Sequence, residues 1–449
     1  MSTAETGHRV VVRELSETPL AGLDTSIDLV PMAPPDRAEV GPREVVVAIR
    51  SAAVGWVDLL MTSGQYQHLP TPPYTPGLEY AGVVEYAGSE AADTVRVGDR
   101  VLVDGFTAGP RSVGAYRAQG GFASWAVVPV EALHAVPGTL TLDQASILLG
   151  SYETAYHCLV ARGRLRAGET VLVHGASGSV GLAAVHVAKL LGATVIATGR
   201  SAAKLAVVKA EGADHVVDIG PREGETGGVR RFRDEVKAVT DGRGVDVVYD
   251  GVGGEVSLES LRCVAFGARI LVVGWASTPL VAKGRGERGA PNANQLPTNL
   301  VMMKGLDVLG CPTVISSLMD PTLRPPRLAQ VLAWAAEGKI APHVSHTFAL
   351  ADFRAAMRAK WAGDVIGGCV LHGTERDDAH RRQREEPAAS AARSIGDRQR
   401  LDPPSTTRGS SAGFARDAGE LGVRWPRAAS MKALASSGER SSGSKTTWR

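Results

Sequence analysis

Three glycines at three-residue spacing, Gly175, Gly178 and Gly181, separate an apolar run from an apolar helical segment in VLVHGASGSVGLAAVHVAKLLGA. The first glycine permits a sharp turn, the second lets a ligand approach the backbone, and the third lets the helix lie close to the sheet. N–H groups at the start of a helix attract negative charge. The segment predicts the phosphate-binding turn of a dinucleotide site. The predicted contacts are Gly175, Ala176, Ser177, Gly178, Ser179, Val180 and Gly181.

The residues after the next apolar segment, TVIAT (194–198), indicate the type of nucleotide. NAD sites usually have an Asp or Glu at the end of this strand, where the carboxylate binds the ribose 2′-hydroxyl. Here Gly199 and Arg200 come first, followed by Ser201 and Lys204. Because no carboxylate would repel a 2′-phosphate and these side chains could pair with one, we predict NADPH as the cofactor. In the alternative interpretation, Arg200 and Lys204 only solvate the start of a helix.

Apolar strands and helices alternate regularly between residues 168 and 274. This alternation predicts an α/β domain with a parallel sheet that is covered on both faces. Its main strands are predicted at 171–174, 194–198, 245–250 and 268–274. His186 lies among Val and Ala residues of the first helix, and we expect it to be a hydrogen-bonded core histidine.

The N-terminal part has short strands separated by Gly- and Pro-rich turns, which predicts a small, irregular β-barrel-like domain. Segment 315–371 contains two helices and two short strands, and we expect it to complete one of the two domains. Residues 374–449 have almost no apolar periodicity and are predicted to be a disordered tail. The Gly-, Asn- and charge-rich stretch 282–295 is predicted to be a mobile loop near the cleft, or a passive surface excursion.

The composition narrows the range of partners and compartments. A formal net charge of +2 on 449 residues gives no reason to expect nucleic acid or a membrane as the main partner. The sequence has no apolar run of about 18 residues and no apolar signal segment at the N-terminus, so we expect a cytoplasmic protein. The four cysteines lie far apart without a CxxC pair, which predicts buried or isolated thiols rather than disulfides or a zinc knuckle.

Together these motifs resemble the zinc-free quinone oxidoreductase (zeta-crystallin-like) branch of the medium-chain dehydrogenase/reductase superfamily, over residues 8–372. The matching stretches are DLLMTSGQY (58–66), PYTPGLEYAGVV (73–84), VGDRV (97–101), GGFASWAVVP (120–129), GASGSVG (175–181), GADHVVD (212–218), DVVYDGVGG (246–254) and LPTNLVMMKGLDVLG (296–310). The family commonly has a second glycine and a later glutamine where this chain has Ser179 and His186. The resemblance implies a GroES-like catalytic domain interrupted by a Rossmann domain, and often a homodimer formed through the cofactor domain.

On this basis we predict four segments. Residues 1–145 would form the N-terminal part of the GroES-like domain, and residues 146–312 the Rossmann NADPH-binding domain. Residues 313–373 would complete the catalytic domain, and residues 374–449 would form the tail.

The resemblance also implies further cofactor contacts. Thr154 and Tyr156 are expected to border the cofactor, together with Val252 and Gly253. The residues expected to approach its nicotinamide end are Gly274, Trp275, Ala276 and Asn299. In the alternative interpretation, the two glycines only turn the chain and Asn299 only caps the local backbone.

Zinc-dependent relatives polarise the substrate oxygen with a zinc ion held by Cys, His and acidic side chains. At the matching positions this chain has Gly55-Trp56-Val57-Asp58 and Gly77-Leu78-Glu79, and it lacks the four-cysteine structural loop. We therefore predict no metal. Without a Lewis acid, reduction of an electron-poor π-system fits better than alcohol oxidation, so we predict hydride transfer from NADPH to a quinone or another conjugated carbonyl compound (an enone).

The protein would then orient the nicotinamide and donate hydrogen bonds to the developing oxygen anion. Tyr66 is the first candidate donor, with Asp58, Gln65 and Tyr152 as alternatives, although Tyr66 could also serve only in packing. Some relatives have a tyrosine two residues after the Asp58 position, where this chain has Leu60. We expect Glu79 to hold the backbone or organise water.

Three other functions remain open from the sequence. The first is an enoyl-thioester reductase, because the cofactor chemistry is the same. The second is an NADPH-binding protein with little turnover, and the third is an alcohol dehydrogenase with atypical ligands.

Overall fold

The computed structural model describes residues 6–66, 68, 70–221, 228–277, 285 and 294–373. The tail predicted at 374–449 and most of the loop predicted at 282–295 lie outside these residues. No helix in the described ranges combines the length and the apolar character needed to cross a lipid bilayer.

The N-terminal part is mainly antiparallel β-structure, in agreement with its short strands. Its strands are β1 (Gly7–Val12), β2 (Ile27–Met32), β3 (Glu44–Ala53), β4 (Tyr80–Ala87), β5 (Arg100–Val103), β6 (Trp125–Pro129) and β7 (Leu133–Ala135). Its helices are α1 (Pro19–Thr25), α2 (Trp56–Thr62) and α3 (Leu142–Ser146). Strand β3 pairs antiparallel with both β4 and β6. Because side chains alternate along a strand, Val45, Val47 and Ile49 of β3 enter the main core of this domain.

The central part is a six-stranded, wholly parallel sheet. Its strands are β8 (Thr170–Val173), β9 (Thr194–Gly199), β10 (His215–Asp218), β11 (Val245–Asp250), β12 (Val264–Val272) and β13 (Asp307–Gly310). The spatial order is β10-β9-β8-β11-β12-β13, so the chain reverses direction across the sheet between β8 and β11. Ligands of open α/β sheets bind at such a switch point, outside the carboxyl ends of the strands. The Rossmann fold predicted from the sequence is thus confirmed.

Helices cover both faces of this sheet. They are α4 (Leu148–Tyr156), which continues as a π-helical turn (His157–Arg162), and α5 (Ser179–Leu190), α6 (Ala202–Ala210), α7 (Arg233–Val239), α8 (Glu255–Ser260) and α9 (Thr298–Met303). Two further helices follow β13, α10 (Thr313–Met319) and α11 (Arg324–Ala336), and α11 packs on α4. Helix α5 buries Leu182, Val185 and neighbouring small residues against β8 and α4. The phosphate-binding turn is therefore fixed by the strand before it and the helix after it.

The C-terminal elements are β14 (Val344–Ala349), α12 (Phe353–Ala362) and β15 (Gly368–His372). Strand β15 pairs antiparallel with β3, with Val370 opposite Ala53, so this part of the chain completes the first domain. Helix α11 contacts both domains. Its Val331 and Ala335 enter the core that contains α4 and α5, and the Ala335 carbonyl accepts a hydrogen bond from Thr139 Oγ1 at 2.6 Å. The boundary at residue 312 stays a prediction.

Candidate active site

The phosphate-binding turn has the geometry that its three glycines predict. Gly175 has φ +61°, which a residue with a side chain adopts only with strain. A Cβ on Gly181 would lie 2.2 Å from the Gly175 carbonyl oxygen, so only glycine lets α5 approach the turn this closely. At Gly178 the nearest atom to an added Cβ is 3.4 Å away, and the turn is open on that side. The N–H groups of the first turn of α5 have no intrahelical acceptor, and the turn therefore fits a pyrophosphate group.

The C-terminal segment closes over this turn and brings a cation to it. Gly367 donates its N–H to the Ser177 carbonyl at 2.8 Å, and Ser179 Oγ donates to the Gly367 carbonyl at 2.6 Å. Lys360 Nζ lies 3.1 Å from Ser179 Oγ, and burial lowers the pKa of this lysine. An ammonium group at a helix N-terminus adds to the attraction for an anion. Sequence reasoning missed Lys360, because the two residues are 181 positions apart and no local motif marks the lysine.

The predicted 2′-phosphate ligands have different environments. Ser201 is the N-cap of α6, and its Oγ accepts the Lys204 N–H at 3.5 Å. This hydroxyl oxygen is therefore already used to cap the helix. Lys204 Nζ donates to the Gly363 carbonyl, so a phosphate would have to compete for this ammonium group. Arg200 follows Gly199 at the end of β9 and is exposed. Arg200 is thus the best placed of these side chains to meet a 2′-phosphate.

The loops after β11 and β12 are joined at the carboxyl edge of the sheet. Asp250 is 2% exposed, and its Oδ1 accepts the N–H groups of Val252 and Gly253, both at 2.9 Å. Gly253 has φ +80°, and a Cβ there would lie 3.2 Å from the Trp275 Cα atom. Asp250 therefore holds the loop in which these two predicted contacts lie, a positioning role that its place at a strand end could have suggested.

Other predicted contacts of the nicotinamide end are only partly brought together. The N–H groups of Gly274 and Ala276 donate to the carbonyls of Asp250 and Gly251, both at 3.2 Å, so these residues join the same edge. Asn299 lies instead on an exposed part of α9. The amide that reaches the loop is Asn294, whose Oδ1 accepts the Gly254 N–H at 3.2 Å.

The two predicted cofactor contacts on α4, Thr154 and Tyr156, lie on different faces of the helix. Thr154 is half-buried and its Oγ1 donates to the Gly150 carbonyl at 2.7 Å. The ring of Tyr156, which is about 200° further round the helix, packs on Trp334 of α11. The prediction that Tyr156 borders the cofactor together with Thr154 is therefore corrected, because residues two apart on a helix point to nearly opposite sides.

His186 of α5 is a hydrogen-bonded core histidine, as predicted. Its Nδ1 bonds the Tyr152 hydroxyl at 2.7 Å, and its Nε2 lies 3.1 Å from Glu211.

Asp58 was predicted to be catalytic, but its contacts indicate a positioning role. The side chain is 2% exposed. Its Oδ1 accepts the N–H groups of Gly77 and Leu78, both at 3.0 Å, and its Oδ2 accepts that of Gly55 at 2.9 Å. Burial raises the pKa of Asp58 to about 6, while the three N–H groups and Arg111 act to lower it. The carboxylate thus ties the start of α2 to the loop before Glu79 and is not aimed at a substrate.

Arg111 is a cleft residue that the sequence analysis did not identify. Its charge acts on Asp58, Glu79 and His68, so these groups lie around it. The guanidinium carbon lies 4.6 Å from the centroid of the Phe106 ring, a cation–π contact that orients it. No local pattern marks Arg111, because the irregular loop that carries it reaches the cleft only in the folded chain.

The candidate donor Tyr66 lies in the same region. Its ring contacts His68 edge to face, with centroids 6.0 Å apart. Burial, with the charges of Arg111 and Arg117, lowers the pKa of His68. The alternative donors lie elsewhere, since the Tyr152 hydroxyl is taken by His186 and Gln65 Nε2 lies 3.5 Å from the Glu17 carbonyl.

Glu79 is a second buried carboxyl group in this cleft, and its pKa is raised further than that of Asp58. Its Oε1 accepts the Gly150 N–H, and a Cβ on Gly150 would lie 2.6 Å from either carboxylate oxygen. Burial raises the pKa of Glu79 to about 7, against the opposing effect of Arg111. The expected contact with the backbone is present, and the side chain can also hold a proton at neutral pH.

This shift predicts a pH dependence of stability. Because the pKa of Glu79 is raised from 4.5 to about 7, the protonated carboxyl stabilises the folded state fully below pH 4.5, and this contribution is lost as the pH rises through 7. Between pH 4.5 and 7 the free energy of unfolding should fall as the pH rises, and Glu79→Gln should make this slope smaller by up to about 1 kcal/mol per pH unit. Urea unfolding at several pH values measures the slope. Exposed Glu337→Gln is the matched control, and equal slopes in all three proteins would contradict the assignment.

The stretches that match zinc-binding motifs of the relatives read Gly55-Trp56-Val57-Asp58 and Gly77-Leu78-Glu79. The Asp58 and Glu79 carboxylates in them accept backbone N–H groups, and Trp56 and Leu78 have no donor atom for zinc. Within the described ranges, His, Cys, Asp and Glu side chains form no group of three or more that could hold a metal ion. Independence from zinc stays a prediction.

Comparison with known proteins places these features in a family. Residues 41–138 match the family described as alcohol dehydrogenase GroES-like domain, and residues 179–322 match the one described as zinc-binding dehydrogenase. Quinone oxidoreductase-like protein 2 homolog of Nematostella vectensis is 33% identical over 333 residues, which cover 73% of this chain and 82% of that protein.

Two solved structures share the architecture. A probable oxidoreductase from Mycobacterium abscessus is 29% identical with a TM-score of 0.64, over 82% of this chain and 99% of that chain. A mycobacterial protein solved in complex with NADPH is 25% identical with a TM-score of 0.63, over 82% of this chain and 99% of that chain.

Proposed function

This chain belongs to the medium-chain dehydrogenase/reductase superfamily, with quinone oxidoreductase-like proteins among its relatives, and on that premise we propose that it is an NADPH-dependent reductase of quinones or other conjugated carbonyl compounds. The observation that carries the proposal is the open glycine turn at the switch point of the sheet, with Lys360 beside Ser179. This turn suits the pyrophosphate of a dinucleotide, and the relative solved with NADPH supports the choice of cofactor.

The cofactor would be held by the turn 175–181, by Lys360, and at its adenosine end by Arg200. When bound, NADPH supplies a hydride from its nicotinamide ring. The loop of Val252 and Gly253, fixed by Asp250, would limit the position of the ring together with Trp275. The chain thereby supplies orientation and charge rather than bond-making groups.

Arg200 decides between the two nicotinamide cofactors in this scheme. Arg200→Asp would place a carboxylate where NAD sites have one, and the charge would repel a 2′-phosphate. We expect NADPH to bind on the order of 100-fold more weakly, about 2.7 kcal/mol, with little change for NADH. Titration calorimetry with both cofactors measures this. Lys204→Met tests whether the second cation also contributes to NADPH affinity. Equal losses of NADPH and NADH affinity in Arg200→Asp would contradict the assignment of Arg200 to the 2′-phosphate.

Arg111 and Tyr66 are the proposed donors for the substrate oxygen. Hydride addition to a quinone or enone places negative charge on the carbonyl oxygen, and a guanidinium stabilises such an oxyanion. The Phe106 ring orients the guanidinium, and Tyr66 adds a hydroxyl in the same region. Glu79 can hold a proton near neutral pH for the reduced product.

Replacing Arg111 should reduce turnover more than cofactor binding. We expect Arg111→Met to lower kcat on the order of 100-fold, as removal of an oxyanion donor does in other enzymes, while the Kd of NADPH changes little. Stopped-flow oxidation of NADPH with a quinone acceptor, alongside calorimetry, separates the two effects. Exposed Arg13→Met is the control. A wild-type kcat in Arg111→Met would show that this arginine does not stabilise the substrate oxyanion.

A substrate panel tests the function itself. The purified chain is assayed with NADPH against quinones, short enones and an enoyl-CoA, and its metal content is measured in parallel. Turnover of quinones or enones supports the proposal. Turnover of the thioester alone favours an enoyl-thioester reductase, tight NADPH binding without oxidation favours a binding protein, and stoichiometric zinc favours an alcohol dehydrogenase with atypical ligands.

A homodimer formed through the cofactor domain is also proposed. Among the described residues, β13 is the edge of the six-stranded sheet, and Val308 on it is exposed. Met302 before the strand and Ile315 after it are exposed as well. Apolar side chains beside an open sheet edge are typical of an interface between chains.

A further inference from the structure

A chain of hydrogen bonds joins the end of β11 to the residues that precede α9. Ser257 of α8 donates its hydroxyl to Asp250 Oδ2, and Asn294 Nδ2 donates to Ser257 Oγ at 3.0 Å. Asn294 Oδ1 accepts the Gly254 N–H at 3.2 Å. Asp250 and Ser257 are both buried, and Asn294 is half-buried. Both ends of the Asn294 amide are therefore bonded to the segment that follows β11.

We propose that Asn294 is a positioning residue for hydride transfer, because it fixes the loop of residues 251–254 against which the nicotinamide ring is placed. The inference rests on the proposed function, in which this loop and Trp275 limit the position of the ring. Asn294 acts through the loop backbone and is not assigned a contact with the substrate. It belongs to the stretch 282–295, which was predicted to lie near the cleft.

The loop needs a restraint at its far end. Gly253 has φ +80° and Gly254 has φ +62°, so this end consists of two consecutive glycines, the residues with the greatest backbone freedom. Asp250 Oδ1 binds the N–H groups of Val252 and Gly253. The next N–H group, that of Gly254, is bound by Asn294. Asp250 and Asn294 thus hold successive peptide groups of the loop.

The amide lies directly against the part of the loop that is assigned to the ring. A Cβ on Gly253 would lie 3.7 Å from Asn294 Nδ2 and 3.2 Å from the Trp275 Cα atom. The Ser277 N–H donates to the Val252 carbonyl at 2.9 Å, so the loop after β12 meets the same segment. Loss of the amide would let the loop shift, and a misplacement of about 1 Å at a reacting centre can lower the rate on the order of 100-fold.

The network explains why an amide is suited to this position. A carboxylate only accepts hydrogen bonds, so the Ser257 hydroxyl gives its proton to Asp250. The Ser257 oxygen then accepts from a donor and the Gly254 N–H donates to an acceptor, and Asn294 supplies both groups. Asn294→Asp would keep the acceptor and lose the donor. Asn294→Ala would lose both hydrogen bonds.

Single-turnover kinetics tests the proposal. Each protein is loaded with NADPH and mixed in a stopped-flow instrument with the quinone or enone that the wild type reduces fastest. NADPH deuterated at nicotinamide C4 shows that the observed step is hydride transfer. We expect Asn294→Ala to slow this step on the order of 10- to 100-fold, while the Kd of NADPH from calorimetry changes little. Asn294→Asp retains the bond to Gly254 and should lose less. Half-buried Gln330→Ala on α11 is the control and should keep the wild-type rate.

Hydrogen exchange gives a readout that does not depend on turnover. Peptides that cover residues 251–257 should exchange about 5- to 10-fold faster in Asn294→Ala, because the Gly254 N–H loses its acceptor. Peptides from β3 and β4 should exchange as in the wild type. Faster exchange throughout the chain would mean that this variant is destabilised as a whole, and Asn294→Asp then takes its place in both measurements.

The outcomes separate this inference from the proposed function. A wild type that oxidises NADPH with no quinone or enone would contradict both. An active wild type with an unchanged hydride-transfer rate in Asn294→Ala would overturn the inference alone. Equal losses of rate and of NADPH affinity would also overturn it, because a general disturbance of the site produces that result. A slower hydride step with a retained Kd and faster exchange at residues 251–257 supports it.

Discussion

Gly178→Ala should leave the chain folded and weaken NADPH binding on the order of 100-fold, which is about 2.7 kcal/mol. The residue has φ −77° and ψ 165°, a conformation that alanine adopts without strain. An added Cβ lies 3.4 Å from the nearest protein atom, the Gly175 carbonyl oxygen, which is ordinary van der Waals contact. The methyl group would occupy the side of the turn that we assign to the pyrophosphate. The loss should therefore appear in binding and only slightly in stability.

Calorimetry with NADPH and urea unfolding together measure this result. Gly138→Ala is the matched control, because an added Cβ there meets nothing within 4 Å and the residue lies outside the proposed site. Gly181→Ala is a contrasting variant, since its Cβ would lie 2.2 Å from the Gly175 carbonyl oxygen and should disturb the fold as well. An unchanged Kd for NADPH in Gly178→Ala would show that the pyrophosphate does not bind at this turn.

Arg324→Met should cost about 3–5 kcal/mol of stability, because it leaves the buried Asp104 carboxylate without its cation and takes one of two arginines from the buried Glu153 carboxylate. Arg324 Nη1 lies 2.5 Å from Asp104 Oδ2, and its Nη2 lies 2.8 Å from Glu153 Oε2. The side chain of Asp104 is 5% exposed and that of Glu153 is 3% exposed. Burial would raise the pKa of Asp104, but the guanidinium holds it below its usual range. The arginine of α11 therefore joins α4 to the loop after β5.

Chemical denaturation gives the free energies for this comparison. Arg358→Met removes a similar pair, Arg358 with Asp24, whose side chains are 46% and 62% exposed. An exposed pair contributes about 0–1 kcal/mol, so the control should lose little. Arg327 also bonds Glu153, at 3.0 Å, and would satisfy part of that carboxylate in the variant. If Arg324→Met and Arg358→Met lost equal stability, the buried network would not matter for the fold.

The main elements could be predicted from the sequence because their signals are local. Strand β11 was predicted at 245–250 and forms at Val245–Asp250, since buried parallel strands appear as short apolar runs. The glycine turn was predicted together with the roles of Gly175 and Gly181, because spacing within one turn fixes both the backbone and the close approach of the helix. The family followed from the same motifs in the same order, and the comparisons confirm it.

Only the tertiary structure decided which distant residues share a site. Lys360 reaches the helix start at Ser179 because β15 pairs with β3 and carries the C-terminal segment past the glycine turn. Arg111 enters the cleft on an irregular loop. Asp58 changes from a candidate catalyst to a positioning residue once its burial is seen. A sequence pattern records spacing along the chain, whereas charge, burial and contact depend on packing between segments that are far apart in it.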